Sequence, residues 1–123
     1  MRILLSIHNT HIQKIKSGHK KFEFRKVEAK KFIGNEILIY ATSPISKVVG
    51  IAKIRKTHIG TPDKIWKFTK EFSGVNKNFY YQYYDNKNKA IAYEIESFIE
   101  FSIPKELSDF GVSHPPQSFI YIK

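Results

Sequence analysis

Apolar and polar positions in the first part of the chain predict a strand followed by a short helix. Residues 2–7 form an almost unbroken apolar run, which is typical of a mostly buried strand. Thr10 and Gln13 have the spacing of a capping box, in which each side chain satisfies a backbone N–H at a helix start. We expect this helix to continue to about Ser17 and to end at Gly18, because glycine readily adopts the left-handed C-cap conformation.

The middle of the chain predicts three strands. Phe22 and Phe24 alternate with charged residues, as in a strand with one face in the core. Residues 36–42 and 47–57 are rich in apolar and β-branched residues, and the proline-containing residues 43–46 form the turn between them.

A helix start is predicted at Thr61-Pro62-Asp63. Threonine is a favourable N-cap, proline suits the first helical position, and an acidic residue there favours the helix dipole. Ile65, Phe68 and Phe72 follow at helical spacing and predict one apolar stripe that ends near Gly74.

Residues 76–85 predict a further short helix. Its aromatic residues at three- and four-residue spacing are expected to pack in the core: Phe79, Tyr80, Tyr83 and Tyr84. This arrangement leaves Tyr81 as the exposed aromatic on which an unpaired base could stack.

The last third predicts a long strand over residues 89–103, a loop over 104–116 and a short strand over 118–122. About six strands and two or three short helices, without a regular strand–helix–strand repeat, indicate the α+β class. We expect a small mixed β-barrel.

Composition narrows the class of protein. A chain of 123 residues with 41% hydrophobic residues fits one packed domain spanning residues 1–123. The chain has no cysteine, which excludes disulfides, thiolate zinc sites and a cysteine nucleophile. The chain opens on a strand-like segment and carries no apolar run near the ~20 residues that cross a bilayer, so we expect a cytoplasmic protein without a membrane partner.

The net charge of +10 is unevenly distributed. Residues 1–31 carry nine Lys and Arg against Glu23 and Glu28, whereas residues 90–123 carry two basic and five acidic residues. Such asymmetry predicts a basic face that attracts a polyanion, most simply RNA. The alternative is a solvated, lysine-rich surface without a specific partner.

His8 and His11 stand three residues apart, a spacing that can chelate a metal. Neighbouring residues that would complete a tetrahedral set are missing, so we expect no metal and no other cofactor. His8 directly follows the first strand, a position from which it could line a cleft.

Three segments together resemble the ASCH domain of the PUA-like superfamily. Residues 18–25 fit its GxKxxExR signature, residues 38–44 its strand and turn, and residues 115–121 its end. The resemblance implies a PUA-like barrel with helices over its openings, a cleft beside the signature, and a role in RNA binding or nucleotide-related chemistry.

The signature also has a direct physical interpretation. In an extended segment Glu23 and Arg25 share one face, with backbones about 7 Å apart, and such a pair can recognise a base edge or a phosphate. Lys20 has the parity of the phenylalanines, so it joins Glu23 only if the chain turns or bulges just after Gly18. The alternative is a surface ion pair of little energetic value.

The resemblance implies two enzymatic alternatives. Similar amidohydrolases that act on acylated cytidines carry a threonine nucleophile three residues after the motif lysine, where this chain has Glu23, and a carboxylate does not replace an attacking hydroxyl. Similar metal-independent ribonucleases need a base and cations. Candidates for these roles are Tyr40, Lys47 and Ser118 together with Lys20 and Arg25.

We therefore predict a domain that binds RNA or a nucleotide-like ligand. The alternatives are a hydrolase of RNA or of a modified nucleoside, with Lys20 and Glu23 as its acid–base pair, and a regulatory domain whose basic face contacts an acidic protein. The candidate ligand-binding residues are His8, Lys20, Lys21, Glu23, Arg25, Tyr40, Ser43, Lys47 and Ser118.

Overall fold

The computed structural model describes residues 2–123. Over these residues the chain forms six strands and three α-helices, which confirms the α+β class. In chain order the elements are β1 (Arg2–Ile7), α1 (Asn9–Ser17), β2 (Phe22–Arg25), β3 (Glu36–Ala41), β4 (Lys47–Gly60), α2 (Pro62–Thr69), a 3-10 turn (Lys70–Phe72), α3 (Lys77–Tyr83), β5 (Ala90–Lys105), a second 3-10 turn (Leu107–Phe110) and β6 (Ile120–Ile122).

The strands form one mixed sheet in the order β2-β5-β4-β3-β1-β6. β1 runs parallel to β3, and all other neighbouring strands of this sheet are antiparallel. Within residues 2–123 no pairing joins β2 to β6, so the predicted barrel is not confirmed. Instead of a closing strand, α3 covers the edge at β2: the hydroxyls of Tyr83 and Tyr84 donate to the carbonyls of Phe24 and Arg25.

Both faces of the central strands are buried. Ile3, Leu5 and Ile7 pack in one core cluster, whereas Leu4 packs in another on the opposite face. Burial on both faces explains why β1 is an almost continuous apolar run.

The β4–β5 pair is the longest in the sheet and contains several register shifts. At one of them Gly50 is required, because a Cβ there would lie 2.4 Å from the Ile99 carbonyl oxygen and 2.8 Å from the Phe98 ring.

The predicted start of α1 is wrong by two residues. His8, not Thr10, is the N-cap, and its Nδ1 accepts a hydrogen bond from the Thr10 N–H at 3.1 Å. Gln13 donates to the Asn9 side chain and does not reach back to Thr10, because the helix begins two residues earlier than the capping-box spacing implied. The end is confirmed: Gly18 is the left-handed C-cap, with φ of 84°.

Helix α2 begins as predicted, with Thr61 accepting from the Lys64 N–H and Pro62 in the first turn. The predicted apolar stripe is buried only in part. Ile65 is buried, but Phe68 and Phe72 are 56% and 39% exposed. Phe72 leaves the stripe because α2 ends at Thr69 and the chain tightens into a 3-10 turn, which breaks the helical register. Phe68 lies within α2, where its ring packs edge-on against Phe22 and near His58 while the rest of the side chain stays exposed.

No helix within residues 2–123 combines the length and the apolar character that a membrane-spanning segment requires.

Candidate functional site

A cleft of about 340 Å³ lies where β2 meets the rest of the fold. Its walls come from the end of β1 and the start of α1, from Lys20 and residues 23–27, from α3 with the residue Val75 before it, from Tyr93 on β5, and from residues 117–119 before β6. This volume is in the range of small-ligand pockets.

Glu23 and Arg25 lie together in the cleft. Arg25 donates from Nε and Nη2 to Glu23 Oε2 at 3.0 and 2.8 Å. The Arg25 side chain is only 14% exposed and the Glu23 side chain only 11%. This ion pair therefore differs from an exposed surface pair, which contributes little to stability.

Arg25 also ties three parts of the chain together. Its Nη2 donates to the Ser6 carbonyl at 2.8 Å, and Nη1 donates to the Ser118 carbonyl at 3.4 Å. The Ser6 hydroxyl in turn donates to the Pro116 carbonyl at 2.8 Å. The guanidinium therefore holds the C-terminal wall of the cleft against β1 and β2.

Lys20 lies under this pair and is only 3% exposed. Its Nζ donates to the Ser73 carbonyl at 2.8 Å and lies 4.0 Å from Glu23 Oε1. Burial lowers the pKa of Lys20, and the Glu23 carboxylate opposes this shift. Because 4.0 Å is beyond hydrogen-bond distance, Glu23 Oε1 retains acceptor capacity toward a ligand.

The chain turns between Lys20 and the start of β2, which is the condition for Lys20 to approach Glu23. Lys20 pairs with Ser73 in an isolated bridge, the Lys21 N–H donates to the Phe72 carbonyl at 2.8 Å, and β2 begins only at Phe22. Lys20 is therefore not part of β2, and the alternation of that strand does not place its side chain on the face of Phe22 and Phe24.

Two histidines of α1 line the cleft. His8 is exposed at the helix start, whereas His11 is partly buried and its Nδ1 is a buried atom without a hydrogen-bond partner in the described chain. Burial, followed by the nearby Lys20 ammonium, lowers the pKa of His11. His11 is therefore neutral near pH 7 and presents an acceptor or a donor according to its tautomer.

Helix α3 and its C-cap residue Tyr84 present two aromatic pairs at i, i+4 spacing. Tyr80 and Tyr84 are buried in the core, at 1% and 3% exposure. Phe79 and Tyr83 line the cleft, and Phe79 is 49% exposed. The prediction that all four are core residues is therefore wrong for Phe79.

Tyr81, which the sequence indicated as the exposed stacking residue, lies elsewhere. Its hydroxyl donates to Asp63 at 2.7 Å, and its ring packs edge-on against Tyr80 and Trp66. It does not line the cleft.

The structure brings five of the predicted site residues to the cleft: His8, Lys20, Glu23, Arg25 and Ser118. The other four lie outside it. Lys21 points away, with its Nζ 4.2 Å from the Phe72 ring centroid, and Tyr40 is buried in the core cluster of Leu4. Lys47 pairs with Glu106, and Ser43 lies in the exposed turn after β3.

Local contacts account for the positions of Lys21 and Tyr40. Lys21 lies before β2, with its Nζ over the Phe72 ring, and Tyr40 packs with Leu38 and Val48 in the core. The ribonuclease candidates Tyr40 and Lys47 therefore do not converge with Lys20.

Sequence reasoning missed several cleft residues: His11, Lys26, Phe79, Tyr83, Gln117 and Phe119. A signal existed for His11, because it follows His8 by about one helical turn and so lies on the same side of α1. Among residues 2–123 no group of three His, Cys, Asp or Glu side chains is arranged to hold a metal ion.

Comparison with known proteins connects this geometry to a family. The family model described as "ASCH domain" matches residues 5–101, well over half of the chain.

Curated relatives occur in Ureaplasma parvum serovar 3. The chain is 34% identical over 87 residues to a protein named large ribosomal subunit protein uL22, covering 71% of this chain and 28% of that protein. It is 26% identical over 122 residues to a protein named ATP synthase subunit alpha, covering 98% of this chain and 15% of that protein. The chain thus spans less than a third of the length of these relatives.

Solved structures match the fold. The crystal structure of ASCH from Zymomonas mobilis superposes with a TM-score of 0.87 at 24% identity, covering 99% of this chain and 87% of that one. A crystal structure of a point mutant of the same protein gives a TM-score of 0.84 at 23% identity, covering 99% and 88%. At this identity the likeness establishes the fold alone.

Proposed function

We propose that this chain, which belongs to the ASCH domain family of the PUA-like superfamily, binds RNA in the cleft around Lys20, Glu23 and Arg25. The observation that carries the proposal is the mostly buried Glu23 carboxylate, held between two cations in a cleft of a strongly basic chain. A site for phosphate alone gains nothing from a carboxylate, which repels the anion. A carboxylate does accept hydrogen bonds from the amino and imino groups of a base edge.

Phosphates of the same strand would contact lysines around the cleft. Lys26 is exposed and lines it, and the exposed Lys30 and Lys31 follow in the next loop. The Lys31 N–H donates to the Tyr121 hydroxyl at 2.9 Å, and the Tyr121 ring packs 5.0 Å from that of Phe119, a cleft residue. These contacts support a basic rim beside the C-terminal wall.

The relatives give uneven support. The protein named as a ribosomal subunit protein is compatible with an RNA partner for the segment it shares with this chain. The protein named as an ATP synthase subunit carries no such indication. The proposal therefore rests on the cleft and its charge.

The test is RNA binding measured against salt. Anisotropy of a labelled single-stranded RNA should show an affinity that falls as salt rises, with a slope of about −0.7 per phosphate neutralised. The double variant Lys30→Ala/Lys31→Ala should weaken binding to all sequences and reduce the slope. An affinity that stays constant between low and physiological salt would rule out the proposal.

A matched control separates a local rim from bulk charge. The variant Lys64→Ala/Lys67→Ala removes the same charge from exposed positions on α2 that do not line the cleft. It should leave the affinity close to that of the wild type. Equal weakening by both double variants would indicate non-specific attraction, and displacement by an acidic protein but not by RNA homopolymers would favour a protein partner.

Glu23→Gln tests the base contact separately. The substitution removes the charge and converts one acceptor into a donor, so preference among homopolymers should change more than overall affinity. An unchanged order of preference would show that Glu23 does not contact the base.

A hydrolase is the second candidate, and one observation favours it. Lys20 Nζ lies 4.0 Å from Glu23 Oε1, and burial lowers the Lys20 pKa, as general acid–base chemistry requires. Incubation of the wild-type protein with RNA and with acylated or alkylated nucleosides should then release product when metal is chelated. Absence of product would leave the binding function.

A further inference from the structure

We infer that the cleft takes an unpaired, extruded base, and that the Phe79 ring on α3 is the surface on which this base stacks. The inference rests on the proposed function and specifies its ligand: a base in single-stranded RNA, not a base within a duplex. Two features of the cleft carry it, the depth of the polar groups and the exposure of the Phe79 ring.

The first feature is the depth of the polar groups. Lys20 and Glu23 are 3% and 8% exposed, although both line the cleft. In a duplex the Watson–Crick edge is occupied by the partner base and cannot reach a buried carboxylate. Only a base splayed out of the stack can bring that edge into the cleft.

The second feature is an exposed aromatic ring in the cleft wall. Phe79 is 49% exposed and lines the cleft, on a helix that the buried Tyr80 anchors in the core. Its backbone is fixed, because the Asn76 side chain accepts from the Phe79 N–H at 2.8 Å and so caps α3. The tilted His11 ring, 5.9 Å away, supports it from α1.

The neighbouring aromatic rings are already engaged. The Tyr83 hydroxyl donates to the Phe24 carbonyl at 3.2 Å, and Lys26 Nζ lies 4.4 Å from the Tyr83 ring centroid. Phe119 packs edge-on against Tyr121. Among the described aromatic residues of the cleft, Phe79 therefore offers the most open face for stacking.

Phe68 provides a matched control. It is also a half-exposed phenylalanine, at 56%, but it lies on α2 against His58 and does not line the cleft. Phe68→Ala and Phe79→Ala thus remove the same group from surfaces of similar exposure. Phe79→Leu keeps apolar volume without a π face, and Phe79→Trp enlarges the π face.

The experiment measures binding to a single-stranded RNA oligomer carrying one 2-aminopurine, and competition by the same sequence as a duplex. We expect Phe79→Ala and Phe79→Leu to weaken single-strand binding on the order of tenfold, with the salt slope unchanged. Phe79→Trp should bind the single strand at least as tightly as the wild type, and Phe68→Ala should bind as the wild type does. Stacking should quench 2-aminopurine fluorescence only when an aromatic residue occupies position 79. The duplex should compete poorly.

The outcomes separate the two proposals. If the wild type binds single-stranded RNA but Phe79→Leu binds equally well, or the duplex competes as well as the single strand, the stacking inference is overturned while RNA binding stands. If the wild type binds no RNA, the proposed function fails and the inference fails with it. Thermal unfolding of each variant checks that the fold is retained, and the comparison of Phe79→Leu with Phe79→Trp does not depend on the alanine variant.

Discussion

Lys20 holds Ser73 by both its backbone and its side chain. The two residues form an isolated bridge, and Lys20 Nζ donates to the Ser73 carbonyl at 2.8 Å. Lys14 Nζ adds a second contact, to the Gly74 carbonyl at 2.9 Å. Two lysines from the first 20 residues thus fix the segment that leads into α3, the helix that carries Phe79.

Gly74 should be essential to this arrangement. It has φ of 73°, and a Cβ there would lie 2.6 to 2.9 Å from the buried Cβ, Cγ and Cδ atoms of Lys20. Gly74→Ala should therefore lower the free energy of unfolding by about 1 kcal/mol for the left-handed backbone and a further ~1–3 kcal/mol for overpacking. Urea unfolding measures this loss.

Gly111→Ala is the control for Gly74→Ala. Gly111 has a similar φ of 72°, but no atom lies within 4 Å of its ideal Cβ. Only the backbone term should appear, so the two losses should differ clearly. Equal losses of unfolding free energy in the two variants would show that the Lys20 side chain can move aside without an energetic cost.

His11 should make stability depend on pH. Its pKa is lowered in the folded protein by burial and then by Lys20, with smaller opposing or supporting effects from Glu23, Lys14 and His8. The unfolded chain, with a histidine pKa of about 6.5, then binds more protons than the native state as pH falls. The stability that neutral His11 contributes is present above about pH 6.5 and is lost as the pH falls toward the native pKa.

Urea unfolding between about pH 8 and pH 5.5 measures this effect. The variant His11→Gln should lose less stability than the wild type over the same range. If both proteins show the same slope, the titration of His11 is not linked to folding.

Arg25 should not be replaceable by lysine. Its guanidinium donates to Glu23, Ser6 and Ser118 together, and a single ammonium cannot reproduce this planar geometry. Arg25→Lys should cost about 1–3 kcal/mol, since hydrogen bonds to a charged group are lost. Hydrogen exchange should show faster opening of residues 117–119.

Arg55→Lys is the matched control for Arg25→Lys. The Arg55 side chain is 62% exposed and lies 3.8 Å from each of Glu94 and Glu96. Its replacement should change stability by less than about 0.5 kcal/mol. A comparable loss at both positions would argue against the special role of Arg25.

Tyr84→Phe should destabilise the β2 edge. The buried Tyr84 hydroxyl donates to the carbonyls of Arg25 and Ile91 at 3.0 and 3.3 Å, and burial raises its pKa well above the usual value. Its loss should cost on the order of 1 kcal/mol. Tyr81→Phe removes an exposed hydroxyl bonded to Asp63 and should be nearly neutral in a thermal melt, so a larger effect there would contradict this view.

Short-range sequence patterns predicted the helices and strands and part of the site. The Thr61 cap, the Gly18 C-cap and the alternation around Phe22 and Phe24 depend on residues close in sequence. The shared face of Glu23 and Arg25 is likewise a consequence of strand parity, and the structure shows them bonded.

Tertiary packing decided which residues share the cleft. The Lys20–Ser73 contact spans 53 positions and the Arg25–Ser118 contact spans 93, and no short-range pattern specifies either. Packing also decided the orientation of α3, because its two aromatic i, i+4 pairs are equivalent in sequence and only the core chooses which one is buried. Hydrophobic spacing and charge along the chain thus determined the strands, the helices and the signature. The burial of Glu23 and the exposure of the Phe79 ring depend instead on contacts between segments that are distant in sequence.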